Sequence, residues 1–408
     1  MTTRPGLRSR VVVRGRGRVP IALALVAMLA TAIAAAPAAA AQRSITNWKQ
    51  ASGGGYHTCG VTLSGRAYCW GGDPVGQLGN GPGHTASLVP SQVAGAATDW
   101  TAISAGGQTT CALKTTGRLF CWGDDSLGQM GDGNGRRSRN VPVEVAGGAS
   151  DWASVSVGST SACATKVSGR LYCWGADTFG ALGNGGTNQA RNTPVEVAGA
   201  ATNWSEVSVG SEHACARRTT GRLFCWGSDR EGQVGDGPSL VNRTSPTPVA
   251  SGGTSWATLS AGFRHTCGVR TTHELFCWGD DDAAQLGAPG QDTVDRPVPT
   301  EVVGNTTDWS SVTGGGGTCA RKTDNRVFCW GLSSRGQTGN NSPFPFEPRP
   351  VEIAGGITDW ASVTSGGHHS CAVRAIHTLY CWGYNDWGQI GNGGSAIPWV
   401  TVPVQVAP

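Results

Sequence analysis

Fourteen cysteines fall into seven pairs, and each pair has the same internal spacing of ten. Cys59 goes with Cys69, Cys111 with Cys121, Cys163 with Cys173 and Cys215 with Cys225. Cys267 goes with Cys277, Cys319 with Cys329 and Cys371 with Cys381. Each first cysteine follows the previous one by 52 residues. A fixed period of this length marks a repeat architecture: one supersecondary unit is copied, and the copies bury one another's faces.

Within the unit, short β-prone runs alternate with Gly, Asp and Asn turn signals. The third repeat reads "WASVSVGSTSACATKVSGRLYCWGADTFGALGNG" over residues 152–185, then "TPVEVAG" over 193–199. Four strands are expected: A over 152–158, B from Cys163, C over 170–175 and D over 194–198. No helical apolar period competes with them. Seven four-stranded units suit an all-β, seven-bladed β-propeller with antiparallel strands, because ring closure protects most sheet edges.

The B–C hairpin explains the cysteines. With Cys111 opposite Cys121, Ala112 faces Phe120, Leu113 faces Leu119 and Lys114 faces Arg118. Thr115, Thr116 and Gly117 remain as a three-residue loop whose last position wants positive φ. Gly65, Gly117, Gly169 and Gly221 fill that slot, and His273, Asn325 and His377 belong to types that tolerate it. Directly opposed cysteines lie within disulfide reach, so seven bonds are expected, each inside one repeat.

Residues 1–41 stand apart. Six arginines between Arg4 and Arg18 precede an apolar run of 16 residues, Ile21 to Ala36, and then Ala39-Ala40-Ala41. The run is shorter than the ~20 residues of a membrane span, and the order matches a secretory signal peptide cleaved after Ala41. Residues 42–408 are then the propeller domain, secreted and free of membrane insertion. Without the six arginines the chain holds 25 Lys+Arg against 27 Asp+Glu. The formal +4 is therefore no argument for nucleic acid as a partner. In an exported chain, cysteines at this density favour disulfides over zinc. No metal site or cofactor is expected.

Two tryptophan series repeat in phase. One follows the second cysteine (Trp70, Trp122, Trp174, Trp226, Trp278, Trp330, Trp382), and the other opens strand A (Trp48, Trp100, Trp152, Trp204, Trp256, Trp309, Trp360). Both read as blade-to-blade packing.

The runs "GFRHTCGVRTTHELFCWGDDDAAQLG" (262–287) and "GGHHSCAVRAIHTLYCWGYNDWGQIG" (366–391) resemble the regulator of chromosome condensation repeat family. The resemblance implies a seven-bladed propeller, and the paired cysteines depart from the family pattern in a way that fits export. The eponymous nuclear guanine-nucleotide exchange activity does not suit an exported chain. Nor does ultraviolet sensing through a G-W-R-H-T motif, since the equivalent slots hold Gly55, Gly107, Ser159, Ser211, Phe263 and Gly367. Secreted relatives of this topology bind enzymes through aromatics on one face. Here Tyr56 and Phe263 occupy similar places.

Strand reversal puts A–B turns and C–D loops on one face, and B–C tips and D–A loops on the other. The first face is the expected partner-binding surface of a non-enzymatic monomer. Its candidate residues are Tyr56, His57, Glu212, His213, Phe263, Arg264, His265, His368 and His369. The second face gathers 13 basic residues against six acids, an excess of about +7. Lys114, Arg118, Lys166, Arg170, Arg218, Arg222, Lys322 and Arg326 are its candidates for an anionic cell-surface polymer. The partner is thus expected to be a protein or such a polymer. The alternative is a carbohydrate-active propeller enzyme, which needs two acids converging on a pocket. No nucleophile elbow, phosphate loop or HExxH motif is present.

Overall fold

The computed structural model describes residues 47–407, apart from 187, 251, 252, 254, 291, 395 and 396. The segment read as a signal peptide, residues 1–41, lies outside the described residues. No helix among those described is long and apolar enough to cross a membrane.

The cysteine period becomes seven four-stranded antiparallel sheets, each in the order A-B-C-D. Blade 1 comprises Trp48–Gly53, His57–Thr62, Ala67–Gly71 and Ser87–Gln92. Blade 7 comprises Trp360–Ser365, His369–Arg374, Leu379–Tyr384 and Trp399–Gln405. In blade 3 strand A ends one residue early, at Val157, strand C starts one residue late, at Leu171, and two further bounds shift. Strand B begins two residues before its cysteine, since His57 still pairs with Gly71. Strand D of blade 3 is Arg191–Glu196. Ala198 leaves the ladder because its N–H turns back to the carbonyl of Gly183.

The hairpin register is the expected one: Cys111 pairs with Cys121, Ala112 with Phe120 and Leu113 with Leu119. Every disulfide joins the two cysteines of one blade. Cys59 is bonded to Cys69, Cys111 to Cys121, Cys163 to Cys173 and Cys215 to Cys225. Cys267 is bonded to Cys277, Cys319 to Cys329 and Cys371 to Cys381. Their Cα atoms lie 4.0–4.1 Å apart. All fourteen are buried, so they brace the blades and offer nothing to a partner at the surface. Lys114 N–H donates to Arg118 O at 3.0 Å. Counting back by alternation puts the cysteines at a non-hydrogen-bonded site, where opposed Cα atoms lie closest. The loop-ending residue has positive φ as required, at 73° for Gly117, 67° for Asn325 and 66° for His273.

The core lies between blades. Val61, Leu78 and Val93 of blade 1 pack against Trp100, Ile103 and Trp122 of blade 2. The G-Q-x-G run explains part of this fit. Gly79 holds φ at 62°, and a Cβ there would lie 2.5 Å from the Trp122 indole. Only glycine satisfies both the backbone and the contact. The same indole donates to the carbonyl of Gln77 at 3.0 Å.

Blade 7 meets blade 1 in the same way, so no strand is exchanged. Trp70 Nε1 donates to Gln389 O at 3.0 Å, and Trp48 N–H donates to His377 O at 2.8 Å.

Candidate functional site

The A–B turns converge on the axis. Their glycines, together with Val157, Val209, Ser159 and Phe263, line a mouth of about 80 Å³. That is small beside the ~300–1,000 Å³ of a typical small-molecule site. No acid or base lines it among the described residues. A partner at this end of the axis therefore meets the rim.

Four residues of the expected contact set are not on the rim. His57, His213, His265 and His369 are buried, at 0–1% exposure. Each bridges to the next blade through Nε2: His57 to Thr110 at 2.8 Å, His213 to Thr266 at 2.9 Å, His265 to Thr318 at 2.8 Å and His369 to Thr58 at 2.6 Å. The Thr110 hydroxyl donates its own proton to Gln77 O at 2.9 Å. It must therefore accept from His57, which fixes Nε2–H as the neutral tautomer. Nδ1 of His57, His213 and His369 is left buried and without a partner. A second proton there would find no acceptor, and burial holds these three rings down to about 3 and His265 to about 4. These histidines are inter-blade struts and leave the partner-binding set. The sequence places them in turns, but the strands begin early enough to draw their side chains inward.

The other five candidates reach the surface in two sectors. Tyr56, Phe263 and His368 come together from blades 1, 5 and 7. Tyr56 lies 5.2 Å from the His368 ring and 6.2 Å from Tyr384, and Phe263 lies 6.4 Å from His368. Phe263 reaches this far because blade 6 has the glycine run 314–317 in the intervening turn. Burial, and after it the nearby Arg335, keep His368 below its ordinary value. The Arg335 guanidinium lies 4.2 Å over Tyr384. Exposed Phe344 and Trp387 on the C–D loops, and Phe346 and Trp399 at the start of strand D, extend the aromatic sector in blades 6 and 7. The sequence marks Trp387 and Trp399 by the fact that they break the repeat.

Arg264 and Glu212 belong to the charged sector of the same face. Arg264 lies 2.8 Å from Asp280, 3.6 Å from Asp282 and 3.9 Å from Glu231. Carboxylates of Asp280, Asp282 and Asp295 gather within 4.8 Å of one another, with the guanidinium supplying counter-charge. Glu212 is exposed. The Asx residues that recur in phase do turn work: Asp125 accepts from Met130 N–H at 3.0 Å.

The opposite face is less basic than its sequence count. Lys114, Lys166 and Lys322 pair with Asp99, Asp151 and Asp308 at 2.7–3.0 Å. Arg118 and Arg170 pair with Glu144 and Glu196, and Arg326 pairs with Asp324 and Glu352. Three of these partners, Glu144, Glu196 and Glu352, are strand-D glutamates that lie outside the sequence count. The signal for them is the Glu of "PVEVAG", 26 residues after each arginine. Six of the eight anion candidates are therefore already neutralised, leaving Arg218 and Arg222. The lysines also sit over rings, Lys114 Nζ being 4.9 Å from the Trp100 centroid.

A closed ring of seven four-stranded repeats with glycine-tuned tryptophan seams defines a repeat propeller. The RCC1-like domain family matches residues 15–308, and the regulator of chromosome condensation repeat matches 324–373 and 360–389. The chain belongs to this family. It is similar to the ultraviolet-B receptor UVR8 of Arabidopsis thaliana, 28% identical over 363 residues, covering 84% of this chain and 78% of the receptor. It is 31% identical over 271 residues to the RCC1 domain-containing mitochondrial protein RUG3 of the same plant, covering 61% of this chain and 57% of RUG3. In structure it is similar to Prp20p of Saccharomyces cerevisiae, with TM-score 0.74 and 19% identity over 85% of this chain and 87% of that one. That protein is described with its binding to Gsp1p and histones. At this identity the likeness is one of fold.

Proposed function

We propose that this chain is an exported, disulfide-pinned, non-enzymatic propeller that binds a protein through its A–B and C–D loop face. The observation that carries the reading is the aromatic sector of Tyr56, Phe263, Tyr384, Trp387 and Trp399. Exposed Trp and Tyr with a neighbouring Arg are the residue types that dominate protein-binding energetics. Tyr56 and Phe263 are fixed by ring contacts to a blade other than their own, so little side-chain freedom is lost on binding. Binding of other proteins, as described for Prp20p, fits the same use of the fold. Export rests on the order of residues 1–41 and on seven disulfides, which persist in oxidising compartments.

The test is capture from the secretome by the purified chain, with wild type and a Tyr56→Ala, Trp387→Ala double variant in parallel. Hot-spot truncation costs ~2 kcal/mol or more, so the variant should retain its partner at least tenfold less well. Arg118→Gln on the other face should capture normally. Equal capture by wild type and the aromatic variant would overturn the assignment of the face.

A further inference from the structure

Blade 4 breaks the charge pairing found in blades 2, 3 and 6. In those blades the last cation of strand B pairs with the Asp before the strand-A tryptophan, and the arginine just before strand C pairs with the last Glu of strand D. Blade 4 keeps both cations, as Arg218 and Arg222. It has Asn203 in place of the aspartate and Pro248 in place of the glutamate. Pro248 stands opposite Phe224 in the register that Glu144 holds opposite Phe120. Among the described residues neither arginine makes a salt bridge, and Arg218 Nε is buried without an acceptor. The flanking loops, 197–203 and 249–255, carry no charged residue.

Both guanidinium groups lie against one ring. Arg218 Cζ lies 4.5 Å and Arg222 Cζ 5.5 Å from the Phe224 centroid, and Arg218 is also 4.8 Å from Trp204. The rings hold the planar groups by stacking and leave N–H donors for a ligand. We infer that Arg218 and Arg222 form an oxyanion site that takes a phosphoryl group. A carboxylate has two oxygens and satisfies one guanidinium fork, whereas a tetrahedral phosphate can serve two forks at once. The pair sits on the B–C face, away from the aromatic sector, so the site is independent of the protein-binding reading.

The test is calorimetric titration of the purified, disulfide-bonded chain with inorganic phosphate, with acetate, and with synthetic poly(glycerol phosphate). Saturable phosphate binding is expected, with acetate at least tenfold weaker. Tighter binding of the polymer than of free phosphate identifies a phosphodiester chain as the source. Equal affinity per phosphate identifies the free anion. Two double variants should each lose at least tenfold. Arg218→Gln with Arg222→Gln removes the cations. Asn203→Asp with Pro248→Glu keeps both arginines and restores the carboxylates that blades 2, 3 and 6 accommodate, so it tests charge without risking the fold. Arg118→Gln, whose partner is Glu144, should bind as wild type. No binding of phosphate or polymer by wild type, acetate binding as tight as phosphate, or undiminished binding by the Asn203→Asp, Pro248→Glu variant would overturn the inference.

Discussion

Acid should loosen the blade seams through the buried histidines, and His213 offers the cleanest test. Its ring is buried, donates Nε2–H to Thr266 and has no acceptor for a proton on Nδ1. Its value falls from an ordinary 6.5 to about 3. A depressed histidine favours the neutral form in the fold, so its contribution is fully present above pH 6.5 and is lost as pH falls towards 3. One pH unit of this mismatch is worth ~1.4 kcal/mol. At pH 4.5 the unfolded chain is protonated at this site and the folded chain is not, a penalty of about 2–3 kcal/mol. Asp125, Asp229 and Asp281 work in the other direction: burial raises them to about 6, 6 and 7. They stabilise the fold as pH falls, so the whole-protein profile mixes both signs. Comparing wild type with His213→Gln cancels the aspartates, because both chains carry them. A Gln amide can still donate to Thr266 but does not titrate. Denaturant unfolding followed by tryptophan fluorescence, with disulfides intact, should give a stability difference that moves by about 2 kcal/mol in favour of the variant between pH 7.5 and 4.5. A difference independent of pH would refute the claim that the ring is held neutral.

Non-reducing peptide mapping should recover links only between cysteines ten apart, and replacing Cys111 and Cys121 together by Ser should destabilise by at most ~3 kcal/mol in a denaturant titration. The hairpin already restrains those ends, so a loss well below that ceiling is expected. Gly131→Ala puts a Cβ at φ 67° and 2.7 Å from the Trp174 indole, and should cost ~2–4 kcal/mol with a lowered melting temperature. Arg118→Gln breaks an exposed, solvent-screened pair with Glu144 and should leave the melting temperature essentially unchanged.

The cysteine spacing and its 52-residue period suffice for the blade number, the hairpin register and the disulfide pairing, because these rest on contacts within one repeat. Gly117, His273 and Asn325 are legible for the same reason: a three-residue loop dictates the backbone of its last member. The candidate site is less readable. His57 and His369 look like turn residues in the chain, and only the next blade's threonine reveals them as struts. Glu144 and Glu196 read as plain strand residues, and only the C–D pairing brings them to Arg118 and Arg170.

Local chemistry, repeated seven times, was therefore enough to specify the unit and to demand that units pack against one another. Tertiary structure alone decided which side chains face a neighbour, which cations find a carboxylate, and that Phe263 crosses a glycine gap to meet His368. Those outcomes depend on residues from different strands and different repeats. A period shows that they recur but carries no distance between them.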